Sequence, residues 1–419
     1  MLPQLRELES TFGDAIAVVG VHSGKFAAER VTANIRDASI RLDAIHPTIN
    51  DRQFRIWRSY AVKAWPTLVA IDPRGYVVGM RAGEFAAREL HPFIRGVLDA
   101  SRDRGDAAAI PLEHSADAPT HSPSLLAYPG KVAVEGRRIA IADSGNRRVL
   151  IGTLDSGGAR AHIDRAIGGD AGFQNPQGIC FGVDSLYVAD AGSHTVRSIS
   201  LATGETRTLA GTGAQRRTEA DAEAGALSSP WDVALRGDTL FIAMAGTHQL
   251  WTHRLGAPGA HVLSGSGAEE LHDASHADAA LAQPMGLCLD NAGVVFADSE
   301  SSAIRHATFF PGGEVTTYVG TGLFDFGDVD GAGDAVRLQH PQAVARAPDG
   351  RILIADSYNG SLKWLDPSTR RVKTWLSGLA EPSGIAIAGN RVYIAETNAH
   401  RIAVADLASG AISVLQIEP

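Results

Sequence analysis

The segment IAIADSGNRRV at residues 139–149 is the first of six copies of one pattern. A short apolar run ends in Ala-Asp or its equivalent, and a polar turn and a second apolar run follow. The other copies are LYVADAGSHTV at 186–196, LFIAMAGTHQL at 240–250, VVFADSESSAI at 294–304, ILIADSYNGSL at 352–362 and VYIAETNAHRI at 392–402. Each run is rich in β-branched and aromatic residues and is bounded by turn formers, which predicts strands.

A proline-led strand precedes every copy. These prolines are Pro129, Pro176, Pro230, Pro284, Pro341 and Pro382. One such sheet cannot bury both of its faces alone, whereas sheets stacked radially around an axis bury them and leave only short edges. The six copies therefore predict a six-bladed β-propeller over about residues 122–419.

Five of the six second strands end in an acid at the same register, and Met244 takes that place in the third. The acids are Asp143, Asp190, Asp298, Asp356 and Glu396. The acid that begins an Asp-Ser-x-Asn turn commonly accepts hydrogen bonds from backbone N–H groups of that turn. We expect a structural role for these acids rather than a metal-binding or catalytic one.

Long connections lie before three of the proline-led strands, at 211–229, 264–283 and 320–340. In a propeller they emerge on the same face as the polar turns, and long loops on a rigid scaffold often carry function. We expect a protein partner to dock on this loop-rich face. The candidate contacts near the axis are Trp231, Asp232, Gln177 and Gln342. The alternative for Trp231 is that it only fills the channel.

Residues 1–101 have a different pattern. Helical stretches alternate with strands, including AIAVVGV at 15–21 as a buried parallel strand, which predicts an α/β domain. Asp51 is a predicted helix cap. A polar linker over 102–121 joins this domain to the propeller.

Two resemblances add to these predictions. The Ala-Asp-Ser-x-Asn pattern with an upstream Pro-x-Gly resembles the NHL repeat family, whose six copies imply a closed propeller. Trp65, Pro66 and Thr67 at the head of a strand resemble the thioredoxin signature, which implies a cis peptide bond before Pro66.

Nearly the whole chain resembles the NHL repeat-containing protein 2-like family, in which a thioredoxin-like domain precedes the propeller. The residues that carry this resemblance are VVGVHSGKF at 18–26, AWPTLV at 64–69, SSPWDVAL at 228–235 and FGDVDGAGDAVRLQHP at 326–341. That family has a strand and a Cys-x-x-Cys motif before the first helix, whereas residues 1–179 contain no cysteine. Without that central strand, each buried unpaired backbone group would cost about 1–3 kcal/mol. We expect either a start codon upstream of Met1, the favoured alternative, or a second chain that completes the sheet.

The composition limits which binding partners and which cellular locations the protein can have. A net charge of −9 disfavours a nucleic-acid or anionic-membrane partner held by bulk electrostatics, and no long apolar stretch occurs. The two cysteines, Cys180 and Cys288, are predicted to be small core residues, and their scarcity favours the cytoplasm.

No cofactor or metal is predicted. The acid-rich stretch 324–334 does not fit a calcium loop, because Phe326 would be the first ligand and Arg337 the twelfth. His194, His248 and His400 fall in corresponding turns of different blades, where we expect solvated or stacked side chains.

Taken together, these patterns predict a non-catalytic binding or scaffold protein. With the family's thiols the first domain would carry out thiol–disulfide exchange. The alternative is a propeller enzyme of the lactonase or lyase kind, which needs several acids or amides at the inner mouths of the blades. Gln177, Asp232, Gln342 and Ser383 are the candidates for such a site, and only Asp232 is a carboxylate.

Overall fold

The computed structural model describes residues 2–42, 44, 46–106, 125–169, 172–310 and 312–418. The chain forms two compact units, Met1–Ser122 and Pro123–Pro419. Most of the predicted linker 102–121 lies outside the described residues, and the helix that precedes it ends at Asp103. Within the described part of the chain, no helix is both long and apolar enough to cross a membrane.

The first unit contains helices and two short sheets. Its elements are α1 (Leu2–Phe12), β1 (Gly20–His22), α2 (Thr32–Arg41), β2 (Thr48–Asn50), α3 (Arg55–Ser59), β3 (Thr67–Ile71), β4 (Val77–Ala82) and α4 (Ala87–Asp103). Strands β1 and β2 pair in parallel, and β3 and β4 form an antiparallel hairpin. Apolar residues of α1 and α4 pack together with Val18 and Leu68, which form a small core.

The buried parallel strand predicted at 15–21 is parallel, but its predicted extent and burial are wrong. The structure has a strand only at Gly20–His22, and Val19 and Val21 are 46% and 42% exposed. Ile71 at the end of β3 is 49% exposed. The physical reason is that β1 and β3 belong to separate two-stranded sheets, so each apolar strand lacks a neighbour on one side.

The second unit is the predicted six-bladed propeller. Blade one consists of β5 (Pro129–Glu135), β6 (Arg138–Asp143), β7 (Arg148–Leu154) and β8 (Arg160–Ile167). Blade two consists of β9 (Pro176–Phe181), β10 (Ser185–Asp190), β11 (Thr195–Ser200) and β12 (Thr206–Ala210). Blade three consists of β13 (Pro230–Arg236), β14 (Thr239–Met244), β15 (Gln249–Arg254) and β16 (His261–Ser264). A short helix, α5 (Glu219–Glu223), lies in the loop before blade three.

Blades four to six follow the same plan. Blade four consists of β17 (Pro284–Leu289), β18 (Gly293–Asp298), β19 (Ala303–Thr308) and β20 (Val315–Val319). Blade five consists of β21 (Gly331–Ala332), β22 (Ala343–Arg346), β23 (Ile352–Asp356), β24 (Ser361–Asp366) and β25 (Arg371–Ser377). Blade six consists of β26 (Pro382–Ala388), β27 (Arg391–Glu396), β28 (Arg401–Asp406) and β29 (Ile412–Val414). The last strand, β30 (Gln416–Glu418), pairs in parallel with β8 on the outer edge of blade one. This pairing joins the C-terminal end of the chain to the first blade and closes the ring.

The second strand of each blade is buried along almost its whole length because both sheet faces pack against neighbouring blades. The turn after it ends in a residue with positive φ in every blade. These residues are Arg147, His194, His248, Ser302, Gly360 and His400. The left-handed conformation is unfavourable for residues other than glycine, so contacts around the turn must stabilise it.

A side chain at this turn position joins one blade to the next at four joints. His194 Nδ1 accepts the backbone N–H of Ser229 at 3.0 Å, and His248 Nδ1 accepts that of Gln283 at 3.3 Å. Ser302 Oγ accepts from His340, and His400 Nδ1 accepts from Tyr128 across the closing joint. The expectation that these histidines are solvated is therefore wrong, because each one is a hydrogen-bond acceptor between blades. The alternative of stacking is confirmed for His400, whose ring centroid lies 4.4 Å from that of Tyr128.

Candidate functional site

The propeller axis is closed by a buried ion pair that sequence reasoning missed. Lys131 on β5 of blade one reaches Asp232 on β13 of blade three, with Nζ 3.1 Å from Oδ2. The same Nζ donates to the carbonyl oxygen of Gln342 in blade five at 2.8 Å. Because these contacts join alternate blades, the lysine spans the ring of inner strands.

Glycines between these residues allow the close approach. A Cβ atom at Gly178 would lie 2.3 Å from Asp232 Cα, and one at Gly384 would lie 2.6 Å from Lys131 Cα. A Cβ at Gly286 would lie 2.6 Å from Cα of Ala343. Blades two, four and six thus each have a glycine, without a side chain, at this position. The inner strands therefore approach too closely to leave a wide channel.

Both carboxylate oxygens of Asp232 accept hydrogen bonds from the protein. Besides Lys131, its Oδ2 accepts the N–H of Leu287 at 2.9 Å and its Oδ1 accepts the N–H of Val233 at 2.9 Å. Burial raises the pKa of Asp232 against the opposing effect of Lys131, and burial lowers the pKa of Lys131. Asp232 is the single carboxylate among the candidate residues of the alternative enzyme site. It is bonded within the protein.

The residues directly after the six prolines occupy the mouth of this closed channel. Met285, Gln342 and Ser383 are buried, whereas Trp231 and Gln177 are partly exposed. Ser383 Oγ donates to the carbonyl of Gly130, which again links blades six and one. Of the four partner-binding candidates, Asp232 and Gln342 are therefore buried, and Trp231 and Gln177 are partly exposed.

The five blade acids are fully buried, and their backbone donors differ from the predicted ones. Each accepts an N–H from the segment just before its own proline-led strand, 15–17 residues upstream, rather than from the turn that follows. The donors are Ala127, Asn175, Ala282, Gln339 and Ala380. The turn contributes side chains instead, such as the Asn146 and Asn359 amides.

The long loops are tied to their blades by a repeated polar network. In blade four, buried Arg305 pairs with Asp298 at 2.8 Å and with loop residue Asp273 at 2.9 Å. Asp273 in turn accepts both the N–H and the hydroxyl of Thr317 on β20. The loop is therefore anchored at its own blade edge.

Blade five repeats this arrangement with other residues. Buried Lys363 pairs with Asp356 and with Asp328 and Asp330 of the acid-rich loop. Asp330 accepts the N–H and hydroxyl of Thr374 on β25. Burial raises the pKa of Asp356 to about 6 despite the nearby lysine. The acids that suggested a calcium loop thus have protein partners.

Blade three replaces the polar pair by an apolar one. Met244 stands where the other blades have an acid, and Trp251 stands where blades four and five have Arg305 and Lys363. Both side chains are buried in one hydrophobic cluster. Arg216 of the preceding loop lies 5.2 Å from the Trp251 ring centroid, so this loop too is held against its blade.

The two cysteines are partly buried in inner strands. Cys180 and Cys288 lie in inner strands β9 and β17, and burial raises the pKa of both thiols far above neutrality. Thiol–disulfide exchange needs a thiolate, and burial disfavours that form at both cysteines.

In the first unit, the Trp65–Pro66 peptide bond is cis, as the resemblance implies. The Trp65 indole N–H donates to the carbonyl of Ser23, just after β1, at 2.8 Å. Asp51 accepts a hydrogen bond from Ser23 and three from the first backbone N–H groups of α3. Trp65 is 47% exposed, with its ring 4.5 Å from that of Trp57.

The geometry defines a class of protein, a six-bladed β-propeller built from NHL repeats with a sealed axis and anchored loops. The NHL repeat family model matches residues 379–405, which lie in blade six. NHL repeat-containing protein 2 of Homo sapiens is 36% identical and that of Bos taurus is 35% identical, each over 100% of this chain. Protein SUPPRESSOR OF QUENCHING 1, chloroplastic, of Arabidopsis thaliana is 36% identical over 98% of this chain.

The chain belongs to the NHL repeat-containing protein 2-like family. It spans 66% of the length of the human and bovine relatives and 43% of the Arabidopsis one.

Proposed function

We propose that this chain is a binding protein whose propeller recruits a protein partner on the loop-rich face, in a chain that also carries a thioredoxin-like module. The observation that carries the proposal is Trp231. It is partly exposed at the mouth of the axis, and the channel beneath it is closed by Lys131 and Asp232. A surface with a partly exposed central tryptophan above a closed axis suits a macromolecular partner better than a small substrate.

The rigidity of the face supports the same proposal. The loops of blades four and five are held by Asp273 and Asp330, and the loop before blade three contains a capped helix in which Thr218 and Asp221 bond reciprocally. A preorganised surface loses little conformational freedom on binding, which favours affinity.

The thioredoxin-like module is part of the proposal. The parallel β1–β2 pair and the antiparallel β3–β4 hairpin support it. Exposed Val19, Val21 and Ile71 support one further strand between β1 and β3. A thiol–disulfide exchange role would require a thiol pair in this module, and residues 1–179 carry none. We propose the cytoplasm as its location, since the chain has only two cysteines.

The test is affinity capture with the Trp231→Ala variant. Truncating a central hot-spot tryptophan weakens binding by about 2 kcal/mol or more, so captured proteins should fall at least tenfold in yield. Val183→Ala is the matched control, because Val183 is 86% exposed and lies in the turn between β9 and β10, at the opposite end of the strands. A large fall in melting temperature with capture intact would make Trp231 a core residue and refute the proposal.

A further inference from the structure

Blade five carries two tryptophans that the propeller fold does not require. Trp364 on β24 lies opposite Leu353, and the equivalent residues of blades two, three and four are Ser198, Thr252 and His306. Trp375 is the extra residue at a bulge in β25. At the same position blades two, three and four have Leu209, Leu263 and Tyr318. A bulge re-aims a side chain, and here it brings the Trp375 ring to 5.7 Å from the Trp364 ring.

The two indoles line a cleft of about 600 Å³. Its walls include the Ala347–Pro348–Asp349 turn and Leu407 of blade six. That turn connects the first two strands of blade five and lies at the end of the strands opposite to the long loops. The cleft is therefore separate from the face around Trp231, and its volume is in the range of ligand sites.

The polar groups of the cleft indicate its ligand. Neither indole N–H has a hydrogen-bond partner among the described residues, so two donors are available to carbonyl groups of a ligand. Arg351 is held by Asp349 at 2.7 Å with its guanidinium 4.4 Å from the Trp364 centroid. Exposed Lys373 leaves the lining with one net positive charge, in a chain whose net charge is −9. A cationic ligand is disfavoured there, and an acidic one is favoured.

We propose that this cleft, formed by Trp364, Trp375, Arg351 and Lys373, binds a proline-rich peptide segment that carries an acidic residue. Polyproline II segments expose unpaired carbonyls and pyrrolidine rings, and they dock against aromatic side chains that line a groove and whose N–H groups reach those carbonyls. The acidic residue pairs with Lys373 and Arg351. This site is independent of the docking surface around Trp231.

The test uses a fluorescein-labelled twelve-residue peptide of proline and leucine with one glutamate, measured by fluorescence anisotropy with the full chain. We expect saturable binding, with Kd below about 1 mM. Trp375→Phe keeps an aromatic ring and removes the N–H donor, and should weaken binding about fivefold. Lys373→Glu should weaken it about tenfold. Arg371→Glu is the matched control on the same strand, outside the cleft lining, and should change Kd less than about twofold.

Three results would overturn the proposal. The first is no binding at the highest peptide concentration, and the second is unchanged affinity in both cleft variants. The third is equal affinity for a peptide in which glycine replaces every proline, since the cleft would then recognise charge alone. Trp231→Ala should leave peptide affinity unchanged, so failure here and failure of the partner-docking proposal are distinguishable.

Discussion

Removing the lysine that closes the propeller axis should destabilise the fold strongly and in a pH-dependent way. In Lys131→Met, Asp232 stays in place with its side chain 8% exposed but loses a cation at 3.1 Å. Breaking a buried ion pair from one side costs about 3–5 kcal/mol. Because Asp232 keeps the N–H groups of Leu287 and Val233, we expect the lower end, about 3 kcal/mol at pH 7.

The pH dependence follows from the burial of Asp232, which already raises the pKa of that carboxyl in the presence of Lys131. Without the lysine, the pKa in the folded state rises further above the unfolded value of about 3.9. The fold then favours the protonated carboxyl, so stability is lost as the pH rises through the folded pKa. The deficit of Lys131→Met relative to the unchanged chain should therefore be smaller at pH 5 than at pH 8.

The assay is urea unfolding of the full chain followed by the β-type circular dichroism signal at pH 5, 7 and 8. Arg138→Met is the control, because Arg138 pairs with Glu135 on the surface and such pairs contribute about 0–1 kcal/mol. The double variant Lys131→Met with Asp232→Asn should recover part of the loss, because it removes the unpaired buried charge. The recovery is incomplete because the single amide oxygen can replace only one of the two oxygens that accept from Val233 and Leu287. An unchanged unfolding midpoint in Lys131→Met, or a deficit that does not depend on pH, would refute the reasoning.

Four further predictions concern the joints, the loops, the thiols and the propeller alone. His400→Ala should lower the unfolding free energy by about 1–2 kcal/mol, because the N–H of Tyr128 loses its acceptor at the closing joint; exposed His261→Ala should not, and equal effects in urea unfolding would contradict this. Thr317→Val should cost about 1 kcal/mol by removing the hydroxyl that donates to Asp273, whereas the exposed neighbour Thr316→Val should cost less than half of that in the same assay. An insulin reduction assay on these 419 residues should read as background, because burial raises the pKa of the thiols of Cys180 and Cys288; turnover above background would show an accessible thiolate. A chain that starts at Pro123 should melt cooperatively with β-type circular dichroism, since the second unit has its own core; an insoluble or molten product would show that the propeller depends on the first unit.

The repeat alone was enough to predict the propeller. Strand register alternates with period two, and six copies of a run such as IAIAD leave little freedom in where strands begin, where they end and which face they bury. The same local logic located the polar turns after each second strand. It failed at residues 15–21, because burial of a strand depends on a neighbour that the segment itself does not contain.

The site depended on contacts between residues far apart in the chain. Lys131 meets Asp232 and the Gln342 carbonyl, which is 211 residues away, and no local pattern announces that meeting beyond a lone lysine in an apolar strand. Arg305 and Lys363 stand seven residues after their blade acids, a regularity that could have signalled the network. The sequence by itself determined the blades because strand formation and turns are local. Only the tertiary structure decided that the axis is closed, that histidines join the blades and that two indoles face one cleft, because ring closure sets those distances.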